Sequence, residues 1–450
     1  MSYSSDPWFV ARIAFRAFDS HERPPASVIL PSMRFPFPPL KPFCTRGARI
    51  GRRALCLFVL LSVGVPVAQA RELRLEVERL SQGEGAAAVE AGGLRLVLRA
   101  AEQPGAGLGL RLRAQRLYFA GLGYDFRSLD WRCELRPRDV DSWRCSGPLR
   151  ADGQAAGELS LDWKGGGLEL ELARARTRLQ AVMPGDSDAL SLQLERLPSA
   201  WLQPLLAQAW PQARFTDGTW GGELELDTGL DAPRLEGELR ADALGLDTLD
   251  GSIATAGLNL KGSLGLEFGE RTRVGARLGM SGGELLLGPL YAELPVQPVQ
   301  LDLAALGAGA GWQIEQLRWS DASTLQLEAS ARVDLAAADP LPELQLQLQS
   351  QDARLLVQRY LQSLLATQGL PDARAEGGLK LQLRKQDAEL SEVQLETDAL
   401  AFADAGGRLQ LQGVDGRLGW TRATPALEGS IAWSALSVFG LQLQSATLDW

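Results

Sequence analysis

Trp201-Leu-Gln-Pro-Leu-Leu-Ala207 and Tyr360-Leu-Gln-Ser-Leu-Leu-Ala366 stand 159 residues apart and read as two copies of one segment. The likeness continues downstream with small gaps. Pro211, Ala213 and Arg214 match Pro371, Ala373 and Arg374, and Leu224 and Leu226 match Leu381 and Leu383 in a strand opened by paired glycines. Asp242-Ala-Leu244 matches Asp398-Ala-Leu400, and Gly251 and Gly257 match Gly407 and Gly413. Each copy reads as one short helix followed by strand after strand. A sequence repeat of this kind points to stacked units sharing one continuous core.

The helix at the head of each copy is amphipathic. Leu202, Leu205, Leu206 and Ala209 fall at i, i+3, i+4 and i+7, with Ser199 as the expected N-cap and Pro204 expected to begin or kink the helix. In the second copy Asp352 is the expected cap, and Leu356, Tyr360 and Leu364, flanked by Leu361 and Leu365, form the stripe. Helices this short are expected to plug the end of a sheet; docking a partner or a membrane surface is the alternative.

Outward from these helices the chain alternates. Leu73, Leu75 and Val77 interleave with Arg74, Glu76 and Glu78, and the period recurs at Leu94, Leu96 and Leu98, Leu168 to Leu172, Leu344 to Leu348, Leu379 to Leu383, and Leu409 and Leu411. Period-two patterning predicts strands with one apolar and one polar face. Leu is a mediocre strand former, so pattern rather than propensity carries this reading. Roughly twenty such strands face only two short helices, so the apolar faces must be covered by another sheet, by a curl of the same sheet, or by something not encoded here.

Composition narrows the function. The net charge is −9, and residues 1–70 carry nine Lys/Arg against three Asp/Glu, which leaves −9 − 6 = −15 for residues 71–450. So acidic a body is a poor binder of nucleic acid, whose phosphates must be neutralised. The single histidine, His21, falls in the leader, which removes histidine-based catalysis and the commonest metal ligand from the body. The sequence therefore predicts no enzyme, no metal and no cofactor.

Residues 51–70 read as a signal peptide: Arg49, Arg52 and Arg53, an apolar run from Ala54 to Val67, then Ala68-Gln-Ala70. The run falls short of the roughly 20 residues of a membrane span, and an uncleaved N-terminal anchor is the alternative. Residues 1–50, Pro-rich between Arg34 and Pro42, are expected to be disordered or mis-started, with Met33 as a candidate true start. Export to the periplasm is the expected localisation.

The body divides into 71–198, 199–351 and 352–450. In the first part, Trp131-Arg-Cys133 and Trp143-Arg-Cys145 recur twelve residues apart around turn-forming residues. A hairpin would set Cys133 beside Cys145, and an oxidising compartment would join them, contributing about 2–3 kcal/mol.

The leader, the Leu-alternating strands, and the recurring block of Trp201–Ala207 into Gly221–Leu226 and Tyr360–Ala366 into Gly377–Leu383 resemble the AsmA/TamB group and its YdbH-type branch. The resemblance covers roughly 71–450 and is one of pattern, without an invariant signature. It implies repeating β-grooves that carry lipids across the Gram-negative envelope. Apolar strand faces would form a trough for phospholipid acyl chains, with inner-membrane and outer-membrane proteins as partners. Two departures stand out. Ala68-Gln-Ala70 suggests cleavage where the family keeps an anchor, and on the 156-residue offset the second copy lacks a counterpart of 295–351, as a truncated product would.

The expected fold is mainly β: an elongated, curved antiparallel groove of repeated units with one short amphipathic helix per unit, on the order of 100 Å long. Candidate lining residues are Leu94, Leu96, Leu98, Leu224, Leu226, Leu258, Leu260, Leu379, Leu381, Leu383, Leu409 and Leu411. The expected function is non-catalytic lipid binding and transfer. The alternatives are a closed β-sandwich scaffold or secretion accessory and, further off, an outer-membrane barrel, which five Tyr residues serve poorly.

Overall fold

The computed structural model describes residues 72–450 apart from 83–87, 101–106, 121, 140, 230–231, 323, 335–336, 338, 340, 424–427 and 450. The leader readings for 1–70 lie outside the described residues. The strands are β1 (Glu72–Gln82), β2 (Val89–Arg99), β3 (Leu108–Ala114), β4 (Arg116–Phe119), β5 (Tyr124–Phe126), β6 (Leu129–Asp139), β7 (Ser142–Ala151), β8 (Gln154–Lys164), β9 (Gly167–Arg174), β10 (Thr177–Met183) and β11 (Ala189–Pro198). Helix α1 (Ser199–Ala209) leads into β12 (Ala213–Asp227), β13 (Arg234–Thr248), β14 (Ile253–Phe268), β15 (Thr272–Ser281), β16 (Glu284–Leu287), β17 (Leu290–Glu293), β18 (Val299–Ala308), β19 (Gly311–Asp321), β20 (Leu325–Asp334) and β21 (Glu343–Ser350). A second helical segment follows: α2 (Ala353–Leu356), a π-helical turn (Val357–Leu361) and α3 (Gln362–Thr367). The last strands are β22 (Arg374–Gln386), β23 (Glu389–Ala403), β24 (Leu409–Thr421), β25 (Ser430–Val438) and β26 (Leu441–Asp449).

All 26 strands form one antiparallel sheet, built almost wholly from chain neighbours. Two hairpins branch from it: β4–β5 pairs along the first half of β2, and β16–β17 along the first half of β14. Elsewhere β3 meets β6 and β15 meets β18, so the ladder runs on past both branches. Among the described residues nothing joins β1 to β26, and the sheet stays open. That excludes a barrel closed through these strands.

The repeat is visible in backbone geometry. In β13–β14 the pairs Ala241–Leu260, Leu244–Leu258 and Leu246–Thr255 bracket two bulges; in β23–β24 the pairs Thr397–Gly416, Leu400–Val414 and Phe402–Leu411 do the same, each 156 residues later. Ala243 and Ala399 both take positive φ there, and their N–H groups donate to Asn259 and Asp415 respectively. The following turns also correspond: Thr248 Oγ1 accepts the Ile253 N–H at 3.0 Å, and Asp404 Oδ1 accepts the Leu409 N–H at 2.7 Å.

A third, fainter copy lies at the start of the body. Leu96–Leu112 and Leu98–Leu110 in β2–β3 reproduce Leu260–Met280 and Gly262–Leu278 in β14–β15, while Val89–Phe119 reproduces Ile253–Leu287. In the last copy the two halves merge. β25 pairs first with Gly416 through Ile431 and then with Leu411 through Leu436, so its second half takes the place of β16. The expectation of one helix per unit therefore needs correcting: among the described residues the branching block occurs three times, and two helical segments serve it.

Each helix plugs one end of the sheet, between a branch hairpin and the next long strand. In α1 the Gln203 side chain accepts the Phe215 N–H at 2.7 Å and donates to Ala213 O at 3.2 Å, so it caps the edge of β12. Ser199 is not the N-cap. It is the first helical residue, it is buried, and its Oγ accepts Trp220 Nε1–H at 3.0 Å. Nor does α1 begin at Pro204, which sits within it. Asp352 caps the second segment as expected, accepting from the N–H groups of Arg354 and Leu355.

Candidate functional site: a continuous apolar ribbon

Following hydrogen-bonded partners from strand to strand traces two rows on one face. The first runs Leu161–Leu170–Ala181–Leu192–Leu224–Gly237–Leu264–Ala276 and continues Leu303–Leu317–Ala329–Leu346–Leu383–Val393. The second, two residues away on each strand, includes Leu172, Leu179, Leu194, Leu239, Leu278, Leu301, Trp319, Leu327, Leu348, Leu381 and Leu395. No polar side chain interrupts either row between β8 and β23. At about 4.8 Å per strand the ribbon is about 60 Å long.

The neighbouring row on the opposite face is polar: Ser160, Glu171, Gln180, Gln193, Glu223, Glu238, Ser263, Arg277, Asp302, Arg318 and Glu328 are successive partners. Cross-strand pairs such as Arg277 Nε to Asp302 Oδ1 at 3.0 Å and Arg318 Nε to Glu328 Oε1 at 2.8 Å link it. The apolar rows are half-buried throughout and shielded by one another; among the described residues a helix reaches them at Trp319, under the Tyr360 ring.

Two glycines inside the rows show how tightly the strands approach. Gly222 (φ 143°) and Gly237 (φ 154°) face each other's strands in β12–β13. A Cβ at Gly222 would fall 2.1 Å from Glu238 O, and one at Gly237 would fall 2.0 Å from Glu223 O. Glycine kinks of this kind bend a sheet across its strands.

The candidate lining residues divide into groups. Leu224, Leu226, Leu381 and Leu383 stand on the open ribbon, and Leu94, Leu96 and Leu98 face the same way opposite Val77, Leu75 and Leu73. Leu258 does not line a trough: it is 4% exposed in a closed cluster with Ala241, Leu244, Met280, Ala292, Leu294 and Val299, against which Leu260 packs. Leu379 packs against Ala353, Val357 and Ala375 beneath the second helical segment. Leu409 and Leu411 lie opposite Val438 and Leu436 near the last hairpin. The pairing of Leu224 with Leu381 also shifts. Leu224 opposes Gly237 and Leu383 opposes Val393, 156 residues on, so Leu383 is the structural counterpart of Leu224.

The second helical segment is locked to the sheet by polar groups that the sequence did not flag. Arg359 Nη1 contacts Asp321 Oδ2 and donates to Thr324 Oγ1 at 2.8 Å; Tyr360 Oη donates to Asp321 Oδ2 at 3.0 Å and accepts Trp319 Nε1–H at 3.3 Å. Burial pushes the Tyr360 phenol well above its usual range, so it stays a donor. The π-helical turn makes this possible by turning Tyr360 towards Trp319 while Leu361 and Leu365 reach the cluster around Val357. At the other end of the sheet Cys133 and Cys145 form the expected disulfide across the β6–β7 hairpin, with Cα atoms 5.4 Å apart and Leu110 and Trp131 around it.

No protein-family model, curated protein or solved structure matches this chain. Its reading rests on its own geometry. Among the described residues no three His, Cys, Asp or Glu side chains are placed to hold a metal ion, and no helix is long and apolar enough to cross a membrane.

Proposed function

We propose that this protein is a non-catalytic, extended β-scaffold of the cell envelope, and that its apolar ribbon shelters phospholipid acyl chains. The scaffold half of the reading draws on the single open sheet, which presents two long surfaces and, among the described residues, no cluster placed to hold a metal ion. The lipid half draws on one observation: an unbroken apolar ribbon, half-buried and, among the described residues, met by a helix at Trp319. Exposed apolar surface of that extent marks a surface that something covers. A tail lying along the ribbon is sheltered on one side, so each methylene gains about 0.4 kcal/mol, half of the ~0.8 for full burial. A tail of about sixteen carbons then gains about 6 kcal/mol, enough to hold and weak enough to let it slide. The charged opposite face keeps the assembly wetted.

The test is direct. Full-length protein purified without detergent is extracted with organic solvent and its phospholipid quantified. Leu224→Asp with Leu383→Asp places carboxylates at two separate points of the first row, and Gln382→Asp places one on the polar face. The double variant is expected to lose at least tenfold of the lipid with unchanged β content, and Gln382→Asp to retain it. Lipid-free wild type, or a double variant that still carries lipid, removes the lipid half and leaves the scaffold.

A further inference from the structure

The branch hairpin occurs three times, and two of the three show what covers it. On the first, Tyr124 Oη of β5 donates to Trp201 O of α1 at 2.6 Å, and the turn at Gly123 lies close against Pro204 O and Gln208. On the second, Ser363 Oγ of α3 accepts the Tyr291 N–H at 3.0 Å and donates to Pro289 O at 2.8 Å, while Ala292 falls to 6% exposure. These helices arrive from far along the chain, 77 and 72 residues from the groups that receive them. Receiving a helix is what the hairpin does wherever its partner is visible.

The third hairpin is formed by the second half of β25 and by β26. Val438–Leu441 and Leu436–Leu443 reproduce the pairs Leu287–Leu290 and Leu285–Ala292, each 151 residues later. No helix reaches it among the described residues. Phe439 is 80% exposed, Leu441 64% and Leu443, in the place of Ala292, 42%. We propose that this hairpin is a docking seat for an amphipathic helix of a partner protein. The occupant is a helix of about three turns with apolar side chains at i, i+3 or i+4, and i+7, like those seated on the first two hairpins.

A labelled synthetic peptide copying residues 352–370 serves as the probe, titrated into the full-length protein and followed by fluorescence anisotropy. Saturable binding is expected, together with protection of residues 436–443 from hydrogen exchange. Leu441→Asp with Leu443→Asp, both on the exposed hairpin, is expected to weaken binding at least tenfold; Leu73→Asp on the far edge strand leaves it unchanged. A peptide with Tyr360→Asp and Ser363→Pro, at the two positions that meet the second hairpin or its cluster, should not bind. Absence of saturable binding, or binding equal in the double variant, overturns the proposal. So does a sedimentation result in which the unliganded protein dimerises through 436–449, which would assign the seat to a second copy.

Discussion

Replacing Arg359 by Met removes one member of a buried ion pair and leaves a side chain of similar length. The Arg359 side chain is 20% exposed and that of Asp321 5%, so water does not replace the lost guanidinium. Asp321 keeps the Tyr360 hydroxyl at 3.0 Å, but its charge loses the cation beside it. Stranding one charge of such a pair costs about 3–5 kcal/mol. That cost falls on the docking of the 353–367 segment, because Arg359 belongs to the helix and Asp321 and Thr324 to the sheet end. Hydrogen exchange measured by mass spectrometry is the suitable assay, since a long array of strands need not unfold in two states. Amides of 353–367 are expected to exchange about 150- to 4,000-fold faster, at about 1.4 kcal/mol per factor of ten, while those of β8 to β10 stay as they are. Arg359→Met combined with Asp321→Asn removes both charges and should recover most of the protection. A single variant with less than a threefold effect, or a double no better than the single, refutes the lock.

Replacing Cys133 and Cys145 by Ser should destabilise the N-terminal strands by about 2–3 kcal/mol, seen as earlier urea unfolding of β6–β7 with the 353–367 segment unaffected. At the β23–β24 turn, the Leu409 N–H and then the Arg408 guanidinium hold the Asp404 carboxyl below the usual carboxylate range. A depressed folded-state pKa contributes stability that is present above the unfolded value near pH 4 and is lost as pH falls through the folded one. Protection of the Leu409 amide should therefore hold at pH 5 and fail in stronger acid, whereas Asp404→Thr, copying Thr248, should protect it without pH dependence. Gly237→Val forces a Cβ into Glu223 O and should destabilise the β12–β13 pair by about 1–3 kcal/mol, read by local exchange.

Much of this fold was legible in the sequence because period-two alternation survives wherever one face is apolar. The same regularity hid the register. With Leu at every second position, a two-residue slip leaves every face unchanged, so the match of Leu224 to Leu381 looked sound although strand pairing equates Leu224 with Leu383. Pairing the glycines Gly221 and Gly222 with Gly377 and Gly378 reinforced the slip. In the structure the positive-φ pair is Gly218 and Gly377, both set against the Ala243 and Ala399 bulges. The third copy could not be read at all: Val89–Gly92 and Ile253–Ala256 share a role in branching, and only their pairing partners reveal it. Leu258 read as trough lining because alternation assigns a face and says nothing of what a distant helix and hairpin close over. The disulfide and the Asp352 cap were legible because each depends on residues close in sequence.

The ladder has a mechanical consequence. Among the described residues each strand from β7 to β13 is paired with its two flanking neighbours alone. Loss of one rung therefore need not bring down the next but one, and stability becomes a sum of local couplings rather than a single switch. Such a molecule yields piecemeal, from its ends and from its weakest junctions, under heat or under tension. A partner pulling on either terminus would meet graded resistance, strand by strand, along the whole length of the sheet.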